Sequence, residues 1–268
     1  MWIDTHCHLD AHEFGGESLA VAGRAGDAGV SMIVIPAVER QNFPVVARLA
    51  SEADNASFAL GIHPIYVPNA GEDDLAALRK AVEAALNDSR FVAIGEIGLD
   101  YFIPMLCEPA MREKQEFFFR EQLRIARDFE LPVLMHVRRS QDQVLKHVRQ
   151  IRQVGGIAHA FNGSFQQAQT FIDLGFKLGF GGAMTFTRAL QIRRLAATLP
   201  LESIVLETDA PDISPAWIHP ARNSPEYLPS IGAALAELRG MQIDDIRSAT
   251  MASAIAAMPR LSAILAPA

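Results

Sequence analysis

Cysteine is scarce in this sequence: Cys7 and Cys107 are the only two in 268 residues. They make no CxxC pair and no disulfide framework, which excludes a cross-linked secreted scaffold and fits a reducing cytoplasm. Long hydrophobic runs are missing too. Charges or prolines interrupt every candidate before the eighteen or so apolar residues of a membrane span, the Ala-rich tail "MASAIAAMPRLSAILAPA" included. Met1 leads straight into "WIDTHCH", without a basic segment, apolar run and small-residue cleavage site, so no secretory leader is expected. Basic charge is in deficit, 24 Lys and Arg against 31 Asp and Glu, for a formal −7. That balance argues against coating nucleic acid by bulk electrostatics and leaves room only for a local basic patch.

What is present is apolar material, 50% of the chain, with no long linker, low-complexity tract or short repeat. One barrel domain over residues 1–268 is expected. Eight short runs rich in Val, Ile, Leu or Phe read as strands: "WIDTHCH", "SMIVIPA", "SFALGIHP", "FVAIGEIG", "LPVLMHV", "GIAHAF", "FKLGFGG" and "SIVLETDA". Between them lie stretches such as "EDDLAALRKAVEAAL", with the three and four spacing of helices resting on a sheet. Eight units of about 34 residues match a βα repeat and predict an α/β fold, a TIM-type (β/α)8 barrel.

Polar residues at the C-terminal strand ends support closure: His6, His8, His63, Glu96, His136, His159 and Asp209. In an open sheet these ends would not converge, whereas in a closed barrel they share one mouth. Buried unpaired, each would cost several kcal/mol. Side chains alternate along a strand, so His6 and His8 face inward, Cys7 faces outward as packing, and Asp4 sits one layer below His6 to orient its imidazole. The number of donors exceeds one tetrahedral site and suggests two divalent ions. A carboxylate can bridge two cations and a neutral imidazole cannot, so Glu96, flanked by Gly95 and Gly98, is the bridge. His136 and His159 then hold one ion, and His6, His8 and Asp209 the other.

The motifs "DTHCHLD", "GIHP", "IGEIGLDYF", "LPVLMHVRRS", "HAFNGS" and "LETDAPD", in this order from residue 3 to about 240, resemble the TatD family of metal-dependent hydrolases, in the amidohydrolase superfamily. "QEFFFREQL" and "RNSPEYL" fit as helical landmarks. The resemblance implies a TIM-type barrel and the same six metal ligands: His6, His8, Glu96, His136, His159 and Asp209. It implies His63 as a pocket residue near a substrate phosphate, and hydrolysis of phosphodiester bonds in DNA, often from a 3′ end. Deacylation of D-aminoacyl-tRNA is also associated with related proteins. The activity expected is that of a deoxyribonuclease acting on single-stranded 3′ ends through a metal-activated water. Asp209 is expected to orient or deprotonate that water. His63 is expected to donate to a phosphate oxygen, to protonate the leaving group, or to order the loop before Pro64. The donor set accepts zinc, manganese, nickel or magnesium.

Phosphate needs cations. Arg138, two residues beyond His136, starts on the same face and is the first candidate; Arg139, Arg188 and Arg222 follow. Gly179, Gly181 and Gly182 either present N–H groups to a phosphate or relieve crowding. His219 and Trp217 sit in a proline-bounded loop placed to touch a base, while His12 and His147 read as surface positions. Two departures from the family stand out. Ile65 and Tyr66 occupy the place where many relatives carry a second histidine, and "MASAIAAMPRL" replaces the usual Asn-Leu-Phe near the last helix, which bears on how the barrel floor is sealed. The competing readings are an amide or ester hydrolase and a metal-binding scaffold without turnover.

Overall fold

Each of the eight apolar runs is a strand, and each helical stretch lies where the periodicity puts it. The computed structural model describes residues 1–152 and 155–265, so the last three residues of the Ala-rich tail lie outside the described residues. The strands are β1 (Trp2–Asp4), β2 (Val30–Pro36), β3 (Ala56–Leu60), β4 (Phe91–Asp100), β5 (Val133–Arg138), β6 (Gly156–Ala158), β7 (Phe176–Phe180) and β8 (Ile204–Leu206). The helices are α1 (Ser18–Asp27), α2 (Phe43–Glu52), α3 (Glu72–Ala85), α4 (Pro109–Asp128), α5 (Gln141–Ile151), α6 (Phe165–Asp173), α7 (Leu190–Thr198), α8 (Leu228–Arg239), α9 (Ile243–Ala257) and α10 (Leu261–Leu265). Strand order follows the sequence from β1 to β8, and successive pairs are parallel. Backbone bonds just beyond the strands close the circle. Thr5 N–H donates to Leu206 O at 3.1 Å, Asp209 N–H to His6 O at 2.9 Å, and His8 N–H to Ala210 O at 2.8 Å. This is the expected TIM-type barrel.

Two apolar clusters explain why the strands are hydrophobic on both faces. The larger lies between strands and helices and contains Phe58, Phe91, Phe119, Phe171 and Cys7. The smaller fills the barrel interior, where Ile3, Met32, Val34, Leu134, Ile157 and Val205 meet Ala254, Ala257, Met258 and Leu261 from the chain's last helices. The divergent "MASAIAAMPRL" segment therefore does seal the floor, with small alanines on α9 allowing close approach. No described helix is long and apolar enough to cross a membrane.

The expected strands overrun their observed ends. β1 stops at Asp4, β3 at Leu60, β6 at Ala158 and β8 at Leu206, so His6, His8, His63, His159 and Asp209 all lie just past a strand. Asp209 and Ala160 adopt positive φ, at 55° and 44°, which turns the chain out of extended geometry at the mouth. The long helix α4 anchors the ends of β3 and β4 through buried glutamines. Gln122 accepts from Ile62 N–H at 2.7 Å and donates to Ile62 O at 3.0 Å, beside His63. Gln115 accepts from Asp100 N–H at 3.0 Å.

Candidate metal centre

The chain arrives at the mouth with a break in phase. Ile3 faces the interior, so strict alternation would carry Thr5 and Cys7 inward. A bend at Thr5 resets the phase: His6 and His8 reach the mouth, and Cys7 packs in the outer cluster with its thiol 3.6 Å from Ala210 O. Burial pushes the Cys7 thiol well above its ordinary range, so it is no nucleophile. Asp4 corrects the sequence reading. Its carboxylate accepts from Thr208 N–H at 2.9 Å, Thr208 Oγ1 at 2.6 Å and the His6 backbone N–H at 3.3 Å, and so ties β1 to β8 without touching the His6 ring nitrogens. A serine at position 7 keeps a donor for Ala210 O. Cys7→Ser is expected to retain full metal content and to cost only about 1 kcal/mol, measured by metal analysis and denaturant melts.

Glu96 is the hub. Its Oε2 lies 3.1 Å from His6 Nε2 and 3.3 Å from His8 Nε2, while Oε1 lies 2.8 Å from His159 Nε2, 3.0 Å from His136 Nδ1 and 3.3 Å from His63 Nε2. The two oxygens thus face two separate groups of imidazoles. Asp209 Oδ1 stands 3.7 Å from both His6 and His8 Nε2. Donor atoms of His6, His8 and Asp209 form one cluster of metal-ligating spacing; His6, Glu96 and His159 form a second, and His63, Glu96 and His136 a third.

This donor set fits divalent cations. His6 and His8 Nε2 approach to 3.3 Å, and His136 Nδ1 and His159 Nε2 to 3.4 Å, separations at which two neutral nitrogens share one proton at most. One carboxylate cannot accept from five rings in good geometry, whereas nitrogen lone pairs and carboxylate oxygens together suit zinc-like ions. Burial, with the charge of His159, brings His6 down to about 3, so the ring is neutral and one of its nitrogens keeps a free lone pair. Burial opposes the charged Glu96, but the surrounding His63, His159 and His6 hold it well below the usual carboxylate range. For His8 and His159 burial is outweighed by Glu96, which pushes them up to about 9 and about 10. The site therefore calls for positive charge on both oxygens of Glu96, supplied by protons or by cations.

His63 differs from the others. Its Nδ1 accepts from Ile65 N–H at 3.1 Å, so in the neutral ring the proton sits on Nε2, the nitrogen facing the site. That tautomer donates and does not ligate. Burial keeps the ring neutral, lowering it to about 4.

Two buried acids escaped the sequence reading, although strand parity could have found both. Glu207 is two residues before Asp209, and Asp100 four after Glu96. Asp100 Oδ2 sits 3.1 Å from His136 Nε2 and orients that ring. Glu207 Oε1 accepts from Ala160 N–H and lies 3.9 Å from His159 Nδ1. A Cβ at Gly179 would stand 2.1 Å from Glu207 Oε2, and one at Gly182 2.1 Å from Ile213 O, so these glycines relieve crowding. His147 is also corrected. It is buried at 2% exposure, with Nε2 3.0 Å from Glu116 on α4, because it shares the inward face of α5 with Val144, Val148 and Ile151. His12 is exposed, as expected.

The centre opens into a cavity of about 960 Å3. Arg138 and Arg139 line it with their guanidinium carbons 3.9 and 4.6 Å from the ring of Phe102, itself 43% exposed, and Arg138 lies 3.8 Å from Asp100. Arg188, Arg222 and His219 line a neighbouring cavity. Trp217 is not among the lining residues of either.

Comparison with known proteins agrees with this architecture. A family profile described as TatD related DNase matches residues 3–258. The chain is 39% identical over 251 residues to the uncharacterized metal-dependent hydrolase YjjV of Escherichia coli K12, covering 93% of this chain and 95% of that one. The crystal structure of that protein superposes with a TM-score of 0.89 at 38% identity, over 96% of this chain and 98% of the other. A Klebsiella pneumoniae protein named as the 3′-5′ ssDNA/RNA exonuclease TatD is 30% identical over 258 residues, covering 94% and 95% of the two chains. A barrel with histidines and acids gathered at its mouth, matched along nearly its whole length by these relatives, belongs to the TatD related DNase family of metal-dependent hydrolases.

Proposed function

We propose that the chain hydrolyses phosphodiester bonds from the 3′ ends of single-stranded DNA with two divalent ions, which the histidines and acids around Glu96 would hold. One observation carries the reading: the histidine-carboxylate centre lies in the same cavity as two arginines stacked on an exposed phenylalanine. The centre suits a phosphate, and the arginine-phenylalanine platform suits the charge and the flat base of a nucleotide. The name of the Klebsiella relative supports the 3′ polarity and the single strand.

In this reading His6, His8 and Asp209 would hold one ion and His136 and His159 the other, and Glu96 would contribute to both. Bound there, divalent ions acidify water and offset charge on the phosphoryl oxygens. Asp209, whose carboxyl is raised by burial, orients the attacking water and accepts its proton. His63 donates an Nε2–H hydrogen bond to a phosphate oxygen, the proton taken up by Asp209 passes to the 3′ oxygen of the retained strand as the P–O3′ bond breaks, and Arg138 and Arg139 hold the terminal nucleotide against Phe102. A closed duplex would have to unpair to bring an internal phosphate to this cavity, whereas a strand end enters without that cost.

The test uses protein stripped of metal and resupplied with single ions, assayed on 5′-labelled single-stranded DNA, covalently closed plasmid and aminoacyl-tRNA. Stepwise shortening of the single strand is expected, with almost no nicking of plasmid and no deacylation, and with all turnover lost in Asp209→Ala. Rapid plasmid nicking that disappears in Asp209→Ala would sink the end-dependent model.

A further inference from the structure

A second cavity of about 690 Å3 opens beside the metal cavity, and Ala183, Ile192, Pro211 and Ile213 line both. Its volume falls in the range of small-ligand sites, roughly 300–1,000 Å3. One wall is the segment after β7 and the other the proline-bounded loop after β8. They are tied together: Ala216 N–H donates to Thr185 Oγ1 at 2.8 Å, and Gly182 packs on the backbone of Ile213. The groove is therefore preformed.

The walls carry Phe186, Arg188, His219 and Arg222. Phe186 has Arg188 at 5.3 Å from its ring centre and meets His219 edge to face at 5.4 Å. Arg222 donates to Glu13 O at 2.7 Å and covers Phe14. Neither guanidinium pairs with a carboxylate among the described residues, and both stand against aromatic rings. Of the two acids on the shared wall, Glu13 turns its carboxylate to His12 at 3.2 Å, and Asp212 lies at the boundary with the metal cavity. In a chain of net charge −7, two arginines without acid partners beside aromatic rings, in a groove continuous with the metal cavity, match a polyanion carrying flat bases.

We propose that this groove binds the retained part of a single-stranded nucleic acid, with Arg188 and Arg222 on its phosphates and Phe186 and His219 presenting ring surface to a base. The inference rests on the phosphodiester reading above and adds the path of the strand: the terminal nucleotide lies against Phe102, and the remainder leaves across the β7 and β8 side of the mouth.

The experiment measures fluorescence anisotropy of 5′-labelled dinucleotide and octanucleotide, protected by phosphorothioate linkages, on the metal-loaded protein at several salt concentrations. Arg188→Gln is compared with Arg188→Gln/Arg222→Gln. The single variant breaks no hydrogen bond of its guanidinium among the described residues and so separates binding from folding. Octanucleotide affinity is expected to fall about tenfold per arginine, and the slope of log K against log salt to shrink by about 0.7 per arginine. Dinucleotide affinity is expected to change by less than about twofold, because so short a strand ends before the groove. Equal weakening of both lengths, an unchanged salt slope, or no octanucleotide binding by the wild type overturns the assignment. If the wild type binds with the expected slope yet releases no nucleotides from an unprotected octanucleotide of the same sequence, the hydrolytic reading fails and the groove stands. If DNA is cleaved while the variants bind the octanucleotide normally, the reverse holds.

Discussion

Glu96→Gln is expected to leave at most one tightly bound ion and to slow turnover by about 10³ or more, a loss of roughly 4 kcal/mol in transition-state stabilisation. The replacement keeps size and shape, so the loss isolates charge. Two divalent ions about 4 Å apart repel by roughly 16 kcal/mol at an effective dielectric of 20, and a bridging carboxylate is the group placed to offset that repulsion. In this protein the two oxygens of Glu96 face different histidine groups, His6 and His8 on one side and His136 and His159 on the other. A carboxamide offers one acceptor and turns N–H donors toward nitrogens that need to keep their lone pairs. Metal analysis after gel filtration, with steady-state rates on labelled DNA, reads both effects. A Glu96→Gln variant that keeps two equivalents of metal and turns over normally would exclude Glu96 as the bridge.

Much of this centre was legible in the sequence because a barrel makes convergence a matter of strand ends. A histidine or acid closing an apolar run has few places to go except the mouth, and six such residues, His63 included, do meet there around Glu96. Strand boundaries were less legible, since backbone bonds such as Cys7 N–H to Val34 O at 3.1 Å continue past the regular ladder while φ turns away from extended values. The bend at Thr5 left no signal in residue type, so the reading of Asp4 as a support for the His6 ring gave way to a carboxylate tied to Thr208. Glu207 and Asp100 were available from parity but sit inside runs dominated by better-known ligand positions. His147 was hidden for another reason. Its partner Glu116 lies 31 residues away on a different helix, and a pairing at that separation depends on tertiary packing, although the spacing with Val144 and Val148 does mark the face as inward. The tautomer of His63 was beyond the sequence altogether, because it depends on one backbone N–H, that of Ile65.

Gly98→Ala is expected to cost about 3–5 kcal/mol, lowering Tm by roughly 6–20 °C, and to weaken metal retention at the same time. Gly98 is paired with His136 across β4 and β5 and sits at φ +152°, a conformation L side chains rarely adopt. A Cβ there would stand 2.0 Å from His136 O and 2.8 Å from its carbonyl carbon. Both are backbone atoms, so no side chain can swing aside to make room. The strands must part, and they carry the two residues whose contact defines one side of the centre: Glu96 Oε1 lies 3.0 Å from His136 Nδ1, and His136 Nε2 is held by Asp100 on the same β4 strand. Widening this pair moves His136 away from Glu96 and Asp100 together, so stability and metal affinity are coupled through one backbone approach. Gly23→Ala supplies the contrast. That glycine is exposed in the middle of α1 with nothing within 4 Å of the added methyl, so the substitution should stabilise by about 0.5–1 kcal/mol through helix propensity alone. Thermal melts of the two variants, with and without added metal, test the coupling. A Gly98→Ala protein that melts within about 1 °C of the wild type and retains its metal would mean that the close approach of β4 and β5 does not set the geometry of the centre.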